Sequence, residues 1–276
     1  MPHILVADDD ATTRQMIRGV LKKSNYTIST ASDGISALRA IKKKKFDLVL
    51  LDIWMPKMTG LGLLGKLSDQ KQIPKIIVMT TDKTSDTVLT ALRGRVYQFL
   101  IKPLDADTLL MTVESAMSSS PATPPIEIIS AKPHWIELLV PCEQSVVGRV
   151  QSFLLHMENE LPPDVIEKVG YAFRELLNNA IEWGGRLDPN LKVRISYVRT
   201  KKMLMYRLDD PGPGFKMEEL SHAAVNNPEA DPIAHMKARE EKGLRPGGLG
   251  LLLTQQMVDE LVYNESRNSV VLVKYL

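Results

Sequence analysis

Residues 47–60 read DLVLLDIWMPKMTG. The four successive apolar residues 48–51 leave no polar side for solvent, which predicts a short strand buried on both faces. Asp52 follows that strand directly. Outward from it, 4–7, 76–80 and 99–101 are runs of the same kind, with a weaker one at 27–30. Helical patterns separate them at about 12–24, 34–44, 61–68, 86–93 and 106–117. Five βα units in a row predict an α/β doubly wound five-stranded parallel sheet with helices on both faces. The working site of such a sheet lies beyond the carboxyl ends of its strands, at the switch in strand order.

Those ends carry chemistry. Asp8, Asp9 and Asp10 follow the first strand, Asp52 the third, Thr80 ends the fourth, and Lys102-Pro103 follows the fifth. Clustered carboxylates repel, and their proton affinity rises unless a cation neutralises them. An oxygen-only site with few protein ligands and room for water suits Mg²⁺. A carboxylate nucleophile, a divalent ion, a hydroxyl and an ammonium around one point equip a site for phosphoryl transfer to an aspartate. Asp10 is read as a loop residue suited to cap the helix that follows.

The motifs ILVADDD, DLVLLDIWMPKMTG, IIVMTT and FLIKPLD, in that order, resemble the response-regulator receiver family over residues 1–118. The resemblance implies Asp52 as phosphoacceptor, Asp8 and Asp9 as metal-site acids beside it, and Thr80 and Lys102 as phosphate-sensing residues. It places Phe99 at an aromatic switch position and makes Lys102-Pro103 a cis peptide. An upstream histidine kinase or phosphotransfer protein is the implied phosphodonor.

The stretch SSSPATPP at 118–125 has neither periodicity nor a large apolar residue. Residues 119–133 therefore read as a Pro/Ser-rich linker. Beyond it, 134–276 predicts an α+β sandwich: a strand at 135–140, helices at 146–160 and from Pro163, strands at 191–198 and 203–208, a polar segment at 216–246, a helix at 249–258 and a strand at 270–276. On the long helix Ile166, Val169, Phe173, Leu176, Leu177 and Ala180 form an apolar stripe. Glu175, Asn179 and Glu182 share another face. A carboxylate beside a carboxamide can activate a hydroxyl while the amide oxygen holds Mg²⁺. DDPGPGF at 209–215 follows a strand, and its acid can accept a hydrogen bond from an exocyclic amine. RPGGLG at 245–250 opens a helix, whose N-terminal N–H groups favour phosphate.

RELLNNAIEWG, DDPGPGF and RPGGLGLLL resemble the GHKL ATPase superfamily, and the opening VPCEQSVVGRVQSFL brings the domain nearest to anti-sigma-factor serine kinases. The resemblance implies ATP as cofactor, Glu175 as general base, Asn179 as Mg²⁺ ligand and Asp210 as adenine reader. Gly212 and Gly214 would line the base, Gly247, Gly248 and Gly250 would cradle phosphates, and 216–246 would be the ATP lid. Trp183 stands where those kinases carry histidine, and Asn268-Ser269 where they carry Gly-Thr.

Composition bounds the rest. Over 276 residues, 44% are hydrophobic and 25% charged, the balance of a globular protein long enough for two cores. The single Cys142 excludes an internal disulfide framework. No signal-like or membrane-length apolar stretch is present, so the reading is cytoplasmic with no membrane partner. Net charge is +2, and the basic run 42–45 reads as a solvated helix end rather than a contact for nucleic acid. The implied output is a serine/threonine protein kinase controlled by Asp52 and acting on an anti-anti-sigma (STAS-type) protein. Two alternatives stay open: a non-catalytic switch that sequesters a sigma factor or other partner, and a histidine-kinase-type ATPase working with a separate histidine-bearing protein. A homodimer is also left open.

Overall fold

A computed structural model describes the chain except residues 23, 68–72, 83, 95, 119–125, 159, 217–223, 225–226, 228–230, 232 and 242–247. It forms two compact units, Met1–Pro121 with Ser152–Asn159, and Ala122–Gln151 with Glu160–Leu276.

In the first, β1 (His3–Ala7), β2 (Thr27–Ala31), β3 (Leu48–Asp52), β4 (Lys75–Thr80) and β5 (Gln98–Ile101) make a parallel sheet in the order β2-β1-β3-β4-β5. Connecting them are α1 (Ala11–Leu21), α2 (Gly34–Lys43), α3 (Gly60–Leu67) and α4 (Ser85–Arg93), with α5 (Ala106–Ser118) last. Ile4, Val6, Leu48, Leu50, Ile77 and Met79 share a core with Ile17, Leu21, Leu109 and Val113. Their neighbours Leu5, Val49, Leu51 and Val78 point to the opposite face and are equally buried. Both faces are therefore dry, which is why these strands are apolar at every position. Each such side chain contributes about 1.5–3 kcal/mol on burial.

Capping fixes the helix starts. Asp10 accepts from the backbone N–H groups of Thr12 (3.2 Å) and Thr13 (2.8 Å), as its place in the sequence predicts. Asp33 accepts from the Ser36 N–H at 2.8 Å in a reciprocal box. Strand β1 pairs with β2 on one side and β3 on the other, with Ala7 opposite both Ala31 and Leu51. The chain order thus reverses at β1/β3, and Asp8 and Asp52 leave adjacent strands side by side. Asp52 is in register with Met79, and Thr80 with Ile101, which brings Thr80 and Lys102 to the same edge. The Lys102-Pro103 peptide is cis.

In the second unit β6 (Glu127–Lys132), β7 (Trp135–Pro141), β8 (Lys192–Arg199), β9 (Met203–Asp209), β10 (Glu260–Tyr263) and β11 (Ser269–Tyr275) form an antiparallel sheet ordered β10-β11-β9-β8-β7-β6. The helices are α6 (Val147–His156), of which residues up to Gln151 belong to this unit, α7 (Pro163–Asn179), α8 (Ala234–Glu241) and α9 (Gly250–Met257). Alternation buries Ile136, Leu138, Val193, Ile195, Tyr197, Leu204, Tyr206, Leu208 and Leu272. Onto this face α7 lays Val169, Ala172, Phe173, Leu176 and Leu177, with the Phe173 and Tyr206 ring centroids 5.0 Å apart.

Three elements differ from the sequence reading. Residues 127–132, assigned to the linker, form β6, an edge strand only partly buried and bulged between Ile128 and Ser130. An edge strand half in solvent has little apolar periodicity to announce it. The same reason hides β10, the opposite edge, with burial alternating between exposed and half-buried. Helix α8 lies inside the segment read as polar and irregular; it is polar nearly all round and is given away by no stripe.

Candidate functional site

In the first unit, Asp8, Asp9 and Asp52 each offer a carboxylate oxygen, and these lie within 4.8 Å of one another. Asp8 and Asp52 are buried, and Asp9 is exposed at the rim. The Lys102 Nζ sits 2.8 Å from Asp8 Oδ2 and 2.9 Å from Asp52 Oδ2. Burial pushes the Asp52 carboxyl above its ordinary value; the Lys102 hydrogen bond and charge oppose that, and the Asp8 charge adds to it. Burial alone would lower the Lys102 ammonium, but its bonds to Asp52 and Asp8 and their charges outweigh it and hold it above the usual lysine value. Three oxygen donors open to solvent at Asp9 fit a hard, octahedral cation such as Mg²⁺. Bound there, Mg²⁺ supplies neutralisation of anionic oxygens. Thr80 is fully buried, and its Oγ1 accepts from the Asp82 N–H at 2.9 Å. Lys102 N–H donates to the Thr80 carbonyl at 2.9 Å, locking the two strand ends together. Sequence reasoning missed Arg14, whose Nη1 donates to the carbonyls of Asp8 (2.6 Å) and Asp9 (2.9 Å) and pins the acidic loop. A single arginine one turn into a helix carries no motif.

The second unit holds a cleft of about 780 Å³ whose lining includes Glu175, Asn179, Asp210, Gly214, Gly248 and Gly250. Glu175 and Asn179 reach it from successive turns of α7, and a π-helical turn, Ala180–Gly184, then carries Glu182 and Trp183 to the lining. The start of α9 closes against Glu175: a Cβ on Gly250 would lie 2.2 Å from Glu175 Oε2, so a larger residue there would displace that carboxylate. At the other end Asp210 Oδ1 accepts from the Gly212 N–H at 2.8 Å. Burial pushes the Asp210 carboxyl up; the Gly212 bond opposes this, and the Asp209 charge reinforces it. Gly212 thus holds Asp210 rather than lining the cleft. Gly214 has φ +84°, and a Cβ there would fall 1.6 Å from the Ser266 carbonyl oxygen. Gly247 lies outside the described residues, as does most of 216–246. Tyr263 and Arg267 also line the cleft, with Phe215 between them: the Phe215 and Tyr263 centroids are 5.7 Å apart, and Arg267 lies 5.9 Å over the Phe215 ring. Because β10 escaped the sequence reading, so did the hairpin that presents them. Beneath the site, the buried Cys142 thiol is pushed up to about 11, chiefly by burial and then by the charges of Asp210 and Asp188.

Comparison with known proteins assigns the two units. Residues 4–114 match the family described as response regulator receiver domain, and residues 141–274 match that described as histidine kinase-like ATPase domain. The transcriptional regulatory protein ZraR of Klebsiella oxytoca is 35% identical over 125 residues, which are 44% of this chain and 28% of that protein. The chain therefore matches little more than a quarter of ZraR. Among solved structures, the receiver domain of NtrX from Brucella abortus is 32% identical, covering 42% of this chain and 99% of that one with a TM-score of 0.39. The chemotaxis response regulator CheY4 of Vibrio cholerae is 30% identical, covering 42% and 98% with a TM-score of 0.40. The chain carries an N-terminal receiver domain and a C-terminal histidine-kinase-like ATPase domain. Among the described residues no helix is long and apolar enough to cross a membrane.

Proposed function

We propose that this protein is a two-component response regulator whose output is an ATP-dependent serine/threonine protein kinase of the anti-sigma type, controlled by phosphorylation of Asp52. The observation that carries the reading is the joint placement of Glu175, Asn179 and Asp210 on one cleft. In this reading Glu175 serves as general base, Asn179 as metal-holding amide and Asp210 as base-reading acid. The proposed domains are the receiver at 1–118 and the kinase after the linker, with β6 (Glu127–Lys132) as an edge strand of its sheet.

At the receiver, an Asp52 oxygen attacks the phosphorus of an upstream phosphohistidine, and the P–N bond breaks. Lys102, already bonded to that carboxylate, stays beside the incoming oxygens, and Thr80 offers its hydroxyl to them. Asp8 and Asp9 would hold Mg²⁺ with Asp52. In the second domain Asp210, held by the Gly212 N–H, accepts the adenine amine, Gly214 shapes the floor beneath the base, and Asn179 would hold Mg²⁺. The N-terminus of α9, with Gly247, Gly248 and Gly250, receives the phosphates. Glu175 takes the proton of a substrate serine hydroxyl as its oxygen attacks the γ-phosphorus, and the bond to ADP breaks. Positioning and charge do most of this work. The proposed substrate is a STAS-type anti-anti-sigma protein.

The test is incubation of the full chain with radiolabelled Mg-ATP and such a partner, with and without beryllofluoride. Acid-stable label on the partner that disappears in Glu175→Gln and changes with beryllofluoride supports the reading. Acid-labile label would reassign the domain to a histidine-bearing partner. Partner binding with no label at all would leave a sequestering switch.

A further inference from the structure

The hairpin joining β10 to β11 does more than turn the chain. Its Asn264 accepts from the Arg267 N–H at 3.1 Å and donates its own N–H to the Ser269 carbonyl at 3.1 Å, while Arg267 takes φ +58°. This presents Asn268 to the loop 210–215 at two points. The Asn268 carbonyl accepts from the Asp210 N–H at 2.8 Å, and its Nδ2 donates to the Gly212 carbonyl at 3.0 Å. The amide cannot turn over, because its Oδ1 is held by Asn264 Nδ2 at 2.8 Å. One residue thus brackets Asp210 from both sides. Inside the bracket Asp210 Oδ1 is committed to the Gly212 N–H, so an incoming amine is served by Oδ2. A third bond, from the Phe215 N–H to the Ser266 carbonyl at 3.3 Å, keeps the loop on the hairpin where Gly214 passes.

We infer that Asn268 is a positioning residue for purine selection: through its clamp on Gly212 and Asp210 it aims the Asp210 carboxylate at an exocyclic amine. The inference rests on the adenine-reading role proposed for Asp210. Without the Nδ2 donor, the Gly212 carbonyl loses its partner and the loop loses one of the two restraints on Asp210. The carboxylate then spends time out of line with the amine, and only a ligand bearing that amine is affected.

The experiment measures, on the full chain, displacement of a fluorescent ATP analogue by ATP and by inosine triphosphate, which lacks the exocyclic amine. Asn268→Ala is compared with wild type, and Asn268→Asp serves as a nearly isosteric second variant that keeps an acceptor for Asn264. The expected result is an ATP Kd raised about tenfold, the scale of one hydrogen bond to a charged group, with inosine triphosphate changed less than about twofold. ATP affinity within about twofold of wild type in both variants overturns the inference. So does an equal loss for both nucleotides, which assigns Asn268 a structural role only. Wild-type protein with no preference for ATP over inosine triphosphate sinks the Asp210 reading beneath it, a failure visible before any variant is made.

Discussion

Replacing Lys102 by methionine removes the ammonium standing between Asp8 and Asp52 while keeping most of the stem's volume. Both carboxylates are buried, and the lysine Nζ lies 2.8 and 2.9 Å from them. With their nearest oxygens no more than 4.8 Å apart, two unit charges at an effective dielectric of 20 repel by about 3.5 kcal/mol. Breaking a buried pair by deleting one partner costs about 3–5 kcal/mol. Relaxation toward the exposed Asp9 side favours the lower end, so the expected loss is about 3 kcal/mol at pH 7. The sign with pH follows from the carboxylates. A buried acid whose folded pKa is raised destabilises the fold when ionised, fully so above that pKa, and progressively less as pH falls through it. Asp52 is already raised by burial despite Lys102, and without Lys102 it rises further. The deficit should therefore shrink on acidification, and also in an Asp52→Asn background or in millimolar Mg²⁺. Urea-dependent hydrogen exchange of the β1 and β3 amides reads the receiver separately from the other unit. A loss below about 1 kcal/mol at pH 7, or one that neither pH nor Asp52→Asn alters, refutes the electrostatic account.

Gly214→Ala must place a methyl group against the Ser266 carbonyl at φ +84°; loss of nucleotide binding with a lower melting temperature of the second unit is expected, and an unaltered melt would contradict the loop geometry. Trp183 lines the cleft at 52% exposure, so ATP should shift its emission, and Trp183→Phe should remove that signal in a fluorescence titration. Glu175→Gln should keep ATP affinity within a few fold while phosphoryl transfer falls at least about a hundredfold, measured by isotope transfer to the partner. Cys142, fully buried with its thiol pushed up to about 11, is about one part in a thousand thiolate at pH 8; a thiol reagent should label it only after denaturation.

The local signals in the chain determined the receiver almost completely. Strands buried on both faces are apolar at every residue, and a parallel sheet puts whatever follows each strand at one edge. The positions of Asp8, Asp52, Thr80 and Lys102 were thus legible from where the apolar runs stop. The apolar stripe of α7, and with it the face bearing Glu175 and Asn179, was legible for the same reason: a stripe with period 3.6 has to face a core. What the sequence could not reveal lies at edges and across long separations. Strands β6 and β10 are half-solvated and leave little periodic trace, and α8 has no apolar stripe. Asn268 meets Gly212 across 56 residues of chain, and only the antiparallel register of β11 against β9, Ser269 opposite Asp209, brings them together. Spacing along the chain names the groups that chemistry needs; which distant backbone carbonyl an amide will hold is decided by sheet pairing, because that pairing alone fixes where two remote turns come to rest.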